Sequence, residues 1–432
     1  MLSIRKKQSP ARIIALGFLL TILVGSLLLM LPFSTRDGVQ LKYIDSLFTS
    51  ASAVCVTGLV TVDTGDTFTV FGQIVLLVLI QIGGLGVASI GAGIMLVIGK
   101  RLNMKEMTLV RESMNLDSGK GVIRFLRSVF VTALVFELAG AVLSFFVFLR
   151  DYSPLAATGI SIFHSVAAFN NSGFDILGNF QNMLPYKDNI ALNLITCVLV
   201  FFGGIGFLVI RELLASKFRW KKLSMHSKVV LSVSGVLIVL GALLLKLTEN
   251  ISWLGAFFQS VSARTAGFAT YPLGELSGCG IIVMIILMFI GSSPGSTGGG
   301  IKTSTFFVLL QGVKSAATNK SERAFHYSVP KNAFRKAAVI AFIGISVILT
   351  GSFLMSLFEP ELQLPEVLFE VTSAFATVGL SMGITPSLGI ASKILLIIIM
   401  YIGRLGPLTV ATLWHFGEKE RVGYPDGNIA IG

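Results

Sequence analysis

The sequence predicts an all-α integral membrane protein of four pseudo-symmetric repeats, each a span, a short helix and a second span, giving eight transmembrane helices. Three observations predict it. Of 432 residues, 53% are apolar and 13% charged, against about 45–50% and 25% in soluble domains. Eight apolar runs, about 11–33, 68–98, 128–149, 189–212, 228–248, 277–312, 337–358 and 390–413, reach the roughly 20 residues that cross hydrocarbon. A glycine-ended segment of small and hydroxylated residues recurs between each pair of runs.

An even number of spans puts both ends on one side. Basic loops stay cytoplasmic, and 23 of the 34 Lys and Arg lie in the N-terminus (Arg5, Lys6, Lys7, Arg12) and in segments 99–127, 211–228 and 314–336. Both termini are therefore expected in the cytoplasm of a multi-pass cell-membrane protein. The opposite segments carry acids, among them Asp63, Asp66, Asp151, Asp175, Glu249, Glu359 and Glu361. The net charge of +12 reads as topology, and with no basic platform interleaved with aromatics the expected contact is membrane lipid and not nucleic acid. The first run is of full spanning length, so no cleavable signal peptide is expected. Cys55, Cys197 and Cys279 are scattered and form no pairing framework.

The repeated segments are LFTSASAVCVTGL (47–59), IFHSVAAFNNSGF (162–174), AFFQSVSARTAGF (256–268) and LFEVTSAFATVGL (368–380). Aligned on Gly58, Gly173, Gly267 and Gly379, each has a Phe ten residues earlier (Phe48, Phe163, Phe257, Phe369). Each has a small residue five earlier (Ala53, Ala168, Ser262, Ala374). The spans that follow carry IGGLG (82–86), FGGIG (202–206), IGSSPG (290–295) and IGRLG (402–406). The repeats are thus 11–98, 128–212, 228–312 with a broken second span, and 337–413, followed by a tail, 414–432. A short helix of about 10–12 residues is some 15–18 Å long, so it enters half the bilayer and returns. Asp45 and Glu366 suit its N-terminus.

Non-helical backbone at membrane depth survives only in protein or along a water-filled path. Four such loops around one axis imply a ring of backbone carbonyls, the construction of a cation filter around a central pore. The expected filter is Val56, Thr57 and Gly58, Asn171, Ser172 and Gly173, Thr265, Ala266 and Gly267, with Thr377, Val378 and Gly379. Glycine suits backbone that must aim every carbonyl inward.

The motifs CVTGL, NNSGF, RTAGF and ATVGL, together with GSSPGSTGGGIKTS, resemble those of bacterial Trk and Ktr potassium transporters and plant high-affinity potassium transporters. The likeness covers essentially the whole chain and is nearest to the Ktr-system membrane subunit. It implies a potassium-channel-like fold and potassium uptake, often sodium-stimulated, with K+ as cargo at the filter and no cofactor in the chain. It also implies a homodimer with one pore per protomer, and a cytosolic ring of nucleotide-binding RCK (KTN) subunits controlling opening. Some plant members replace the first filter glycine by serine and favour sodium. Gly58 stands here, which points to potassium, and a sodium-permeable or non-selective monovalent cation pore is the rival reading.

In the sixth span, Ser292, Ser293, Pro294, Gly295, Ser296, Thr297, Gly298, Gly299 and Gly300 interrupt a membrane helix, where Pro costs about 3 and Gly about 1 kcal/mol each. Arg404 replaces Gly84, Gly204 and Ser292 of the other repeats, at a depth where arginine costs roughly 2.5–3.5 kcal/mol. The expected gate is therefore the loop 292–300 with Lys302, held by Arg404 just inside the filter. Arg264 is expected to sit behind the filter, structurally paired. The basic segments 99–127, 211–228 and 314–336 are expected to dock the cytosolic ring, and YPDGNIAIG (424–432) to pack at a protomer interface.

Enzyme chemistry finds little support. GSTGGGIKT (295–303) nearly spells a phosphate-binding loop, but Ile301 separates Gly300 from Lys302 and no strand precedes it. GGLGVASIG (83–91) has Ser89 where a dinucleotide fingerprint needs its third glycine. His164, His226, His326 and His415 lack metal-ligand spacing, and His164 reads as a packing residue with a satisfied hydrogen bond. A membrane enzyme or scaffold leaves the four registered glycines unexplained.

Overall fold

The computed structural model describes residues 9–100, 102–114, 121–330 and 332–413. The basic residues Arg5, Lys6 and Lys7, the tail 414–432 with its interface stretch 424–432, and His415 lie outside the described residues.

Among the described residues, four helices are long and apolar enough to cross a membrane: Pro10–Leu29, Val122–Phe148, Met225–Thr248 and Ala333–Phe358. They are the first spans of the repeats. Each is followed by a short helix, Tyr43–Val54, Pro154–Phe169, Trp253–Ser262 or Leu364–Ala376, too short to traverse about 30 Å of hydrocarbon. Serines on three of them hold the pair together. Ser50 Oγ donates to the Ile22 carbonyl at 2.7 Å, Ser165 to Glu137 at 2.7 Å and Ser260 to Ile238 at 2.8 Å. Gly25, Gly140 and Gly241 make room for these hydroxyls on the first spans, the small-residue contact that membrane helices use.

The structure corrects the second spans. The sequence reading treats 68–98, 189–212 and 390–413 as continuous and only 277–312 as broken, yet all four break. Val70–Leu85 turns by 102° into Val87–Val97, and Ile190–Ile205 by 100° into Phe207–Ser216. Ile390–Leu405 gives way to Pro407–Thr412. The hinges Gly86, Gly206 and Gly406 have φ of 85°, 93° and 89°, backbone that side chains resist. In the third repeat, Gly278–Phe289 and Thr303–Thr318 are separated by a loop closed at its neck by a parallel bridge between Ile290 and Ile301. Arg323–Ala324 and Tyr327–Ser328 form a small antiparallel ladder in a basic segment, an exception to the all-α pattern.

A second correction concerns register. The filter backbone donates to the pore-helix carbonyls of Ser52, Ala167 and Ser373 from Thr57, Ser172 and Val378, whereas that of Ser262 receives both Ala266, at 2.9 Å, and Gly267 itself, at 3.4 Å. The third repeat therefore has one residue fewer between helix and glycine. Phe258, 1% exposed, fills the place of Phe48, Phe163 and Phe369, whereas Phe257 is 36% exposed. Alignment on the glycines alone cannot register a deletion between helix and turn.

The ring of repeats closes between the fourth and the first. Lys393, on the fourth repeat's second span, pairs at 2.7 Å with Asp45 on the first short helix, both side chains 11% exposed. Asp45 is thus a bridge across the seam, and no side chain caps its helix, while Glu366 forms a capping box with Gln363. Removing one partner of a buried pair strands the other charge, at about 3–5 kcal/mol. Lys393→Ala should lower the melting temperature in detergent markedly, and the double variant with Asp45→Ala should recover much of that loss.

Candidate ion-conduction site

The four turns meet head to tail. A side chain on Gly58 would run into the carbonyl oxygen of Ser172, and one on Gly173 would sit 2.8 Å from that of Ala266. One on Gly267 would strike that of Val378, and one on Gly379 that of Thr57. Each glycine thus faces the next repeat's carbonyl, and the fourth returns to the first, so the ring is closed. The backbone alternates around it. The glycines have φ of 96°, 67°, 81° and 91°, and the residues two before them, Val56, Asn171, Thr265 and Thr377, are also left-handed at 56°, 58°, 79° and 50°. Left-handed backbone at two positions of each turn, with an ordinary residue between, is how successive carbonyls come to face one axis. All twelve expected filter residues are brought to this ring, and each non-glycine member is fully buried.

The pore helices deliver their C-terminal ends here. Gly83, Gly203 and Gly403 lie against the last carbonyls of these helices, those of Val54, Phe169 and Phe375, with no room for a Cβ. The partial negative charge of a helix C-terminus is thereby aimed at the ring from the middle of the membrane.

Outside the ring is a cavity of about 620 Å³ lined by the four glycines and by Asp63, Asp175 and Glu275. Burial, with Asp63 and Asp66 adding their charge, pushes the Asp175 carboxyl up to about 7. Inside is a cavity of about 450 Å³ lined by Gly84, Gly86, Gly298, Gly300, Lys302 and Arg404. Between the ring and that inner cavity lies the loop of the third repeat. Gly298 and Gly299 abut the hydroxyls of Thr265 and Thr377, and Gly300 approaches Ala376. Ser293 N donates to the Gly204 carbonyl at 2.9 Å, Thr297 Oγ1 to that of Gly203 at 3.1 Å, and Phe207 N to that of Gly295 at 3.1 Å. Within the loop, Ser292 and Ser296 hydroxyls lie 2.7 Å apart, and Lys302 Nζ donates to the Gly298 and Gly299 carbonyls at 2.7 and 3.2 Å. Pro294 lines the inner cavity beside Gly295. Arg404 joins this loop to the first repeat: its guanidinium donates to the carbonyls of Thr297 and Gly83 and, at 3.2 Å, to that of Gly84. The residues expected to form the gate are therefore together, directly beneath the ring.

A family profile described as "TrkH: Cation transport protein" matches residues 12–248 and 231–417. The chain belongs to the TrkH family of cation transport proteins. This transporter is 38% identical to the Ktr system potassium uptake protein B of Bacillus subtilis over 98% of its own length and 97% of that protein's. It is 37% identical to the potassium/sodium uptake protein NtpJ of Enterococcus hirae, over 99% and 98%. The crystal structure of the potassium transporter TrkH from Vibrio parahaemolyticus superposes with a TM-score of 0.74 at 21% identity, over 96% of this chain and 88% of that one, and so shares the fold. These relatives are named as transporters, in agreement with the expectation that the chain is not an enzyme.

Some expected residues have simpler surroundings. Arg264 of this transporter is buried and donates to the Ser234 carbonyl and hydroxyl at 3.2 and 3.0 Å, so its partners are these neutral oxygens and no acid of the described residues is paired with it. His164 Nε2 lies 2.9 Å from Thr196 Oγ1, the satisfied packing residue expected. The sequence reading passed over Glu137. It lies in the first span of the second repeat, where Ile22 and Ile238 occupy the matching places by the shared serine contacts. Gln81 Nε2 and Asn170 Nδ2 donate to its two carboxylate oxygens at 3.3 and 3.1 Å. Its signal was available, since an acid inside an apolar span is by itself a reason for scrutiny. Arg404→Gln should free the loop while keeping much of the side chain's volume. Faster amide hydrogen exchange across 293–300 in the purified transporter is the expected outcome, with the four first spans unchanged.

Proposed function

We propose that this transporter is the ion-conducting subunit of a Ktr-type potassium uptake system, taking K+ into the cell passively through the four-glycine ring. The observation that carries this reading is the closed ring of carbonyls, each aimed past a glycine of the neighbouring repeat. Carbonyl rings replace an ion's hydration shell, and the inward field of an inside-negative membrane contributes about 2.3 kcal/mol per charge per 100 mV. No nucleotide site is called for in this chain.

In this reading the loop 292–300, pinned by Lys302 and Arg404, is the gate: it fills the path beneath the ring, and the Arg404 charge repels a permeating cation. A cytosolic ring of nucleotide-binding RCK subunits, docked on the basic segments of a homodimer with cytoplasmic termini, would move it, and sodium would stimulate uptake. Support comes from the Ktr names of similar proteins in Bacillus subtilis and Vibrio alginolyticus, and from the concentration of Lys and Arg in those segments. Sodium permeation is the second reading, favoured by the potassium/sodium name of the Enterococcus hirae relative.

Potassium and sodium flux into vesicles holding the purified chain decides between the two readings. Gly58→Ser, which places atoms on the Ser172 carbonyl, should abolish potassium uptake or raise relative sodium permeation. Normal uptake and selectivity in a stably expressed Gly58→Ser, Gly379→Ser pair would remove the filter assignment. Deleting Gly298–Gly300 should raise potassium flux and weaken its dependence on the cytosolic partner, with Arg404→Ala acting likewise but more mildly. Affinity capture from host lysate should recover an RCK subunit, and capture of none by folded protein counts against that partner.

A further inference from the structure

The fourfold register exposes a charge that packing does not require. Three residues before the pore-helix carbonyls that receive the filter backbone, those of Ser52, Ala167, Ser262 and Ser373, stand Thr49, His164, Gln259 and Glu370. All four are buried, at 0%, 5%, 2% and 0% exposure. Three of them tie the pore helix to a neighbouring threonine. His164 meets Thr196, Gln259 Nε2 lies 3.5 Å from Thr270 Oγ1, and Glu370 accepts from Thr385. Gln259 makes the tie to the strand beyond its filter with a neutral amide, so the charge at Glu370 is surplus to that structural task.

The surroundings of Glu370 identify what the charge faces. Its Oε1 accepts from Thr385, whose hydroxyl lies 3.0 Å from Ser381 Oγ. Its Oε2 is buried and has no hydrogen-bond partner. A neutral acid carrying its proton on Oε1 would donate to Thr385 and still leave Oε2 without a partner, and a bare carboxylate there would need a positive charge. A bound cation supplies the missing partner. Ser381 and Thr385 both line the outer cavity beside Gly379, so the carboxylate is one layer of hydroxyls away from the entry path. The Gln259 oxygen is unpartnered too, but an amide carries no charge to neutralise. Among the described residues no group of three His, Cys, Asp or Glu gathers to hold a metal ion. A single carboxylate flanked by hydroxyl oxygens suits a hard cation of unit charge.

We propose that Glu370, with Ser381 and Thr385, forms a binding site for a monovalent alkali cation beside the outer end of the filter, separate from the carbonyl ring. The proposal rests on the conduction reading above. An ion held there occupies the wall of the entry and keeps the turn after Gly379 in its conducting shape, so it sets how readily potassium enters and not how fast it leaves.

The test uses purified full-length protein, with radioactive sodium and radioactive rubidium as separate probes in choline buffer, and potassium uptake by the same preparations in vesicles. Wild type should bind one more ion per chain than Glu370→Gln, and the probe that shows the difference names the occupant. The variant's apparent KM for external potassium should rise about tenfold, an ordinary coupling between two sites, with kcat unchanged. Gly58→Ser should lose potassium selectivity while its pairing with Glu370→Gln still shows the lost ion, which separates failure of this site from failure of the filter. Ser381→Ala, altered at a half-buried position of the cavity wall, should reproduce the weaker binding if Glu370→Gln does not fold. Equal binding and equal KM in wild type and in whichever variant folds overturns the proposal, as does a fall in kcat alone.

Discussion

Four strands of backbone approach one axis so closely that no Cβ fits between them, and that contact governs the rest of the molecule. Glycine at Gly58, Gly173, Gly267 and Gly379 is its direct expression. The remaining small residues follow from it at one remove. Backbone held that tightly must be fixed from behind, so each filter strand hangs from a pore-helix carbonyl, and each of three pore helices ends against a second-span glycine. Helices so placed reach their first spans through serine hydroxyls lying on glycines. Tight packing through glycine and serine thus spreads outward from the axis, while the pore-helix residues Phe48, Phe258, Phe369 and Phe375 fill the space between these contacts, fully buried.

The repeats were legible because they answer to a constraint applied four times: one glycine turn is unremarkable, and four in register require a common geometry. The broken sixth span was legible for a similar reason, since nine residues of Ser, Pro, Thr and Gly cannot continue a membrane helix. The bends at Gly86, Gly206 and Gly406 were not. A lone glycine in an apolar run costs only about 1 kcal/mol in a helix, so composition does not distinguish a hinge from a packing site. What distinguishes these bends is that a pore-helix end packs against Gly83, Gly203 or Gly403 three residues earlier, a tertiary contact without local signature. The one-residue deletion of the third repeat escaped for an equally physical cause: glycine fixes the turn, whereas helical register shows only in which Phe is buried. Asp45 fitted a helix N-terminus by local rules, and its distant partner Lys393 overrode them.

The third repeat is the quarter whose second span departs furthest from regular helix. Its second span gives up regular backbone between Ile290 and Lys302, and the freed peptide groups find partners on the second repeat at Gly203 and Gly204, on Lys302, and on Arg404 of the fourth. A loop held by neighbours as well as by its own Ser292–Ser296 and Lys302 bonds keeps its full set of partners only while those neighbours stay in place. That suits a segment whose displacement is meant to be possible.

The Asp45–Lys393 pair marks the place where a linear chain meets its own beginning. A ring assembled from four identical subunits changes in multiples of four, so one substitution puts four charges around the axis or none. A ring drawn from one chain and fastened at a single seam can vary one quadrant at a time. Arg264, Arg404 and Glu370 each occur in one quarter and in no other, a graded electrostatic asymmetry around a nearly regular aperture. The ion pair at the seam is what such freedom requires, because the joint between last and first quarters is the one that no peptide bond makes.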